Sequence, residues 1–94
     1  MKLISIKPAT DKIHKYTAVF EIDGKTKTTQ FGQKGAEDFT IHKDEQRKQN
    51  YISRHKSREN WNDPTTAGAL SYYLLWSEKS FKTALSKFIK KFKL

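Results

Sequence analysis

The chain reads as an α+β domain: a small antiparallel sheet, made of an N-terminal strand plus a hairpin, packed by two to three helices. Three observations carry this reading. Apolar residues alternate with polar ones from Lys15 to Ile22, and Asp23 and Gly24 follow, which is the period and the turn chemistry of a β-hairpin. Near the other end Phe81, Leu85, Phe88, Ile89 and Phe92 are spaced four, three, one and three apart, a single stripe of an amphipathic helix. With 94 residues there is room for one core, so residues 1–94 form a single domain.

Taken in order, Leu3, Ile4 and Ile6 start a short strand that Pro8 stops, since proline has no amide for a central ladder. In the hairpin, Tyr16, Ala18, Phe20 and Ile22 share one face. A two-residue turn sets Ile22 opposite Lys25, Phe20 opposite Lys27, Ala18 opposite Thr29 and Tyr16 opposite Phe31. The returning strand, Lys25 to Phe31, is rich in Thr and Lys and reads as a solvated edge where Lys25 and Lys27 discourage edge-to-edge pairing. Gly32 and Gly35 bracket a sharp turn. The segment lacks the Gly-Lys-Ser/Thr ending and the repeated glycines of a phosphate loop.

Strong helix formers from Glu45 to Gln49 predict a helix over about His42 to His55, capped by Thr40 or Asp44 and anchored by Tyr51 and Ile52. Ser57 to Asp63 reads as a loop plugged by Trp61. Asp63 and Pro64 start the next helix, with Thr65 or Thr66 as competing caps, and it runs through Leu70, Tyr73, Leu74 and Trp76 as the central helix. Gly68 inside it costs about 1 kcal/mol relative to alanine and marks a close approach of another element. Ser77 or Ser80 begins the last helix. The expected core anchors are Phe20, Phe31, Trp61, Leu74, Trp76, Phe81, Leu85, Phe88, Ile89 and Phe92.

Charged residues are 31% of the chain and hydrophobic residues 35%, a balance that only the 13% of aromatics turns into a packed core. The 19 Lys and Arg against 10 Asp and Glu leave +9, so an acidic partner is the first expectation, with nucleic acid at its head. The excess is lopsided. Residues 64–94 carry six lysines and one acid, Glu78, for +5. The absence of cysteine removes disulfides, thiolate metal sites and thiol nucleophiles. No apolar run approaches the roughly 18 residues of a membrane span, and Met1 to Ile6 is too short for a signal-peptide core, so an intracellular chain is expected.

His14, His42 and His55 have no metal-ligand spacing. His42, Asp44 and His55 are the set a small metal-dependent nuclease would use as base and metal ligands, which ranks third among the readings. Glu37 and Asp38, then Asp44 and Glu45, read as caps and surface charges. No serine or threonine sits in a nucleophile-elbow context. No catalysis, cofactor, metal or small-molecule substrate is therefore expected. The leading reading is sequence-independent binding of nucleic acid, with Arg47, Lys48, Arg54, Arg58, Lys82, Lys87, Lys90 and Lys91 neutralising phosphates. Tyr51, Trp61, Tyr72 and Trp76 add stacking on unpaired bases wherever they are exposed beside lysines, although core packing is the stronger reading for the two tryptophans. A lysine-rich final helix also suits an anionic membrane, but its apolar stripe is the best core the chain has, which disfavours lipid. The same lysines equally suit acidic structural proteins.

The residues Phe31, Gly32, Gly35, Asp38, Phe39 and Thr40, then Tyr51, Arg54 and His55, and finally Trp61, Thr66, Ala67, Gly68, Ser71, Leu75 and Trp76 form the pattern FG, G, DFT, Y, RH, W, TAG, S and LW. In this pattern, over about Tyr16 to Phe92, the chain resembles a family of short proteins of large nucleo-cytoplasmic DNA viruses of algae and protists. The resemblance implies a viral origin, in host cytoplasm or nucleus or in the virion, and no mechanism. Two uses follow from such an origin: handling DNA, or bridging acidic shell proteins as a minor capsid (cement) protein. The hairpin before a basic helix is also similar, at the level of fold, to the WGR domain, a DNA-end-binding module, with Phe31 and Gln33 standing where that motif has Trp and Arg.

Overall fold

A computed structural model describes residues 1–94. Three strands, β1 (Lys2–Pro8), β2 (His14–Ile22) and β3 (Lys25–Gln33), form one antiparallel sheet in the order β1-β2-β3. Helices α1 (Phe39–His42), α2 (Glu45–His55), α3 (Ala67–Ser71) and α4 (Phe81–Phe92) follow, with a π-helical turn over Tyr72–Trp76 extending α3. The fold is α+β.

The hairpin register is the expected one, Tyr16 opposite Phe31 through Ile22 opposite Lys25. Asp23 (φ 51) and Gly24 (φ 79) both take the left-handed conformation that a type I′ turn requires. β3 continues past Phe31 to Gln33, so the sharp turn is confined to Lys34 and Gly35. Gly32 lies inside the strand at φ +77, where a Cβ would come within 2.9 Å of Leu75 Cδ1. Backbone angle and close packing both demand glycine there.

β1 departs from simple alternation. Leu3 pairs with Phe20 and Ser5 with Val19, which leaves Ile4 as the extra residue of a bulge, 51% exposed. One inserted residue resets the alternation, so Leu3 and Ile6, three apart, both pack on the core. The core is thin: Ala18, Phe20 and Phe31 from the sheet meet Leu70, Leu74 and Leu75 from the central helix and Phe88 from α4.

The helix expected over His42 to His55 is two helices. Asp38 caps α1 by accepting from the Thr40 amide at 3.0 Å and from the Thr40 hydroxyl, so Thr40 lies inside the helix rather than capping it. Lys43 then turns left-handed (φ 56), and Asp44 caps α2 through the amides of Gln46 and Arg47. The central helix also starts later than Asp63 and Pro64. Asp63 instead accepts from the Thr65 amide and hydroxyl in a turn, and Thr66 caps α3 by accepting from the Ala69 amide. Lys27 reaches this turn and donates to Thr65 Oγ1 at 2.9 Å, so it holds a loop against the sheet.

Ser80 caps α4. Among the expected anchors, Phe20, Phe31, Leu74 and Phe88 are buried, and Phe81, Leu85 and Phe92 are half-buried against the core. Ile89 is a correction: it is 37% exposed, because one residue past Phe88 the helix has turned about 100° away from the sheet. Trp76 is half-buried against the core, as Phe81 is, whereas Trp61 is half-buried outside it.

Candidate functional site

Three features compete for function: a cavity at one end of the sheet, an aromatic groove, and the basic helical surfaces. The cavity, about 590 Å³, opens between the start of β2, the end of β3, the loop before α1, and α2 and α3. Its charges are largely satisfied within the chain. Lys15 Nζ donates to Asp38 Oδ2 at 2.6 Å with both side chains mostly buried, which locks the loop bearing the α1 cap onto β2. Glu37 meets Arg47 at 3.0 Å. Glu59 receives His55 Nδ1 at 3.2 Å on one oxygen and Trp61 Nε1 at 3.0 Å on the other.

Gly68 explains how that carboxylate fits. A Cβ at Gly68 would lie 2.9 Å from Glu59 Cδ, so the bare backbone of α3 makes room for the Glu59 head. Against the cavity wall runs an aromatic column. The His55 ring stacks on Tyr51 at 4.1 Å, Tyr51 stacks on Trp76 at 4.3 Å and 6°, and Trp76 meets His42 at 5.3 Å. Burial first, and then the Glu59 charge, push the Tyr51 phenol well above its ordinary range against the opposing pull of Arg54, so it stays neutral. Phe31, Gly32, Asp38, Tyr51, Arg54 and His55, all part of the FG, G, DFT, Y and RH sequence pattern, line this one cavity.

His42, Asp44 and His55 do not share a cleft. His42 Nδ1 accepts from the Asp44 amide at 2.9 Å, which puts the ring proton on Nε2, and that atom is buried with no hydrogen-bond partner. Asp44 caps the start of α2 and His55 ends it. No three His, Cys, Asp or Glu side chains are gathered as a metal ion would need.

The expected phosphate contacts fall into two groups. Lys48 is engaged inward: it donates to the Ser77 carbonyl at 2.9 Å and lies 5.0 Å from the Phe39 ring, tying α2 to the end of the π-helical turn. Arg47 is paired with Glu37, and Lys87 with Glu78 at 2.6 Å. Arg54, Arg58, Lys82, Lys90 and Lys91 are exposed and have no carboxylate partner. Lys56, Lys79 and Lys93, part of the basic surface read from the sequence but not among the expected contacts, are exposed as well. Their signal was their position on or next to the same two helices.

A family model described as a family of unknown function (DUF5754) matches residues 4–55, more than half of the chain. The chain belongs to this family. Within this DUF5754 member the match spans the sheet from Ile4 onward, α1 and α2, and so includes Lys15, Asp38, Tyr51, Arg54 and His55 of the cavity. No curated protein and no solved structure matches the chain. No helix is long and apolar enough to cross a membrane.

Proposed function

We propose that the chain is a non-catalytic basic protein that binds DNA or another polyanion through its lysine- and arginine-rich helical surfaces. The observation that supports this most is α4: Phe88 is sunk into the core while Lys82, Lys90 and Lys91 stand outward without a carboxylate in reach. Charges left uncompensated on a net +9 molecule repel one another, and a phosphate backbone relieves that repulsion while releasing its counterions. Arg54, Lys56 and Arg58 extend the surface around the end of α2. The viral origin implied by the resemblance offers such a protein an abundant polyanion.

Fluorescence anisotropy with a labelled duplex tests this across a salt series. With about six phosphate contacts the affinity falls on the order of a thousandfold between 50 and 200 mM salt. Absence of binding to duplex and single-stranded DNA alike at low salt rejects the reading. A second reading, a minor capsid (cement) protein bridging acidic shell proteins, draws on Ile13 (66% exposed) and Ile41 (57% exposed), apolar surface that a polyanion does not use.

A further inference from the structure

A groove of about 540 Å³ runs between the two basic helices. Lys56 reaches it from the end of α2, Lys91 from α4, and Trp61, Tyr72 and Tyr73 line it between them. The indole of Trp61 is immobilised twice. One face lies parallel on the Tyr72 ring, with centroids 3.9 Å apart and 6° between planes. Its edge donates from Nε1 to Glu59 Oε1 at 3.0 Å. Neither contact uses the second face of the indole, and the half-buried Trp61 lines the groove.

The charges around this ring are one-sided. Lys56 and Lys91 have no carboxylate partner, and the Lys91 ammonium sits 6.0 Å from the Tyr73 ring. Glu59, the one acid in the groove, is held by His55 and Trp61. A flat, rigid, one-sided aromatic surface between two unpaired cations fits a chain that alternates planar rings with negative charges. Duplex DNA offers the charges but keeps its rings stacked inside. A lipid surface requires a convex apolar face, whereas this site is concave and is tied to a carboxylate.

We propose that this groove binds single-stranded nucleic acid, with an unpaired base stacked on Trp61 and the flanking phosphates neutralised by Lys56 and Lys91. The proposal rests on the polyanion reading and adds a strand preference to it. Gly68 becomes a positioning residue, because the space it leaves is what allows Glu59 to hold the indole edge.

The test compares an oligothymidylate of about 16 nucleotides, the upper end of site sizes for small single-strand binders, with a duplex of equal phosphate number. Vesicles of phosphatidylserine serve as a third probe. The expected result is a single-strand affinity about tenfold above that of the duplex, with quenching of tryptophan emission. Trp61→Leu abolishes the preference, and a cooperative thermal unfolding transition reports that the variant is folded. Trp61→Phe keeps most of the preference without the quenching. Equal affinity for the two strands, or a preference that survives Trp61→Leu, overturns this proposal and leaves the polyanion reading standing. Binding to neither nucleic acid at low salt, or to vesicles alone, overturns both.

Discussion

Gly32 and Gly24 share a positive φ but not a neighbourhood. Around Gly24 an added Cβ meets nothing within 4 Å, whereas at Gly32 it meets Leu75 and Lys15. Gly24→Ala should cost about 1 kcal/mol, the left-handed penalty alone, and Gly32→Ala about 3 kcal/mol, because overpacking adds to it. Urea unfolding of the two variants checks the difference, and equal costs would remove the packing argument. Asp11 offers a second check. The His14 amide at 2.7 Å, then the His14 ring at 2.8 Å, hold its carboxyl below the ordinary 3.8 at about 2, with the Ile13 amide adding to them. A depressed carboxyl contributes stability above its unfolded value and loses it as pH falls. The contribution of this loop should fade from about pH 4 toward pH 2, with an NMR titration midpoint for Asp11 near 2. A midpoint at 3.8 would mean that the loop is open in solution.

Among the elements, α4 shows how far a periodic stripe can be read. Spacing alone puts Phe88 and Ile89 on one face, yet Phe88 is 1% exposed and Ile89 is 37% exposed. Phe88→Ala should cost about 3 to 5 kcal/mol and Ile89→Ala less than about 1 kcal/mol by thermal unfolding. Similar losses at both sites would return Ile89 to the core. The hairpin register was legible, because Asp23 and Gly24 fix the turn and the turn fixes the pairs from Ile22 opposite Lys25 to Tyr16 opposite Phe31, whereas the extension of β3 to Gln33 was not. The bulge at Ile4 was not, since an inserted residue carries no local signature in an apolar run. Nor was the break at Lys43, where a left-handed residue that is not glycine divides two helices. For the candidate site, lysines on α4 were readable from composition. The inward turn of Lys48 was not, because its acceptor is the Ser77 carbonyl 29 positions away.

At the scale of the whole molecule, charge and fold divide the labour. The sheet and the central helix supply the core, and the uncompensated lysines gather on surfaces that this core leaves free. Each lysine that meets a phosphate should remove about one unit from the slope of log affinity against log salt when changed to glutamine. Lys90→Gln and Lys91→Gln together should therefore lower the slope by about two, while Lys87→Gln, already paired with Glu78, should change it little. A slope that responds equally to all three would show that the ion pair opens on binding. Finally, the extra residue at Ile4 has an effect beyond its own strand. β1 is an outer strand of the sheet, and a kinked outer strand offers no straight row of amides and carbonyls for a second copy to zip onto. With Lys25 standing at the opposite margin, crowded copies of this molecule are steered away from fibril growth.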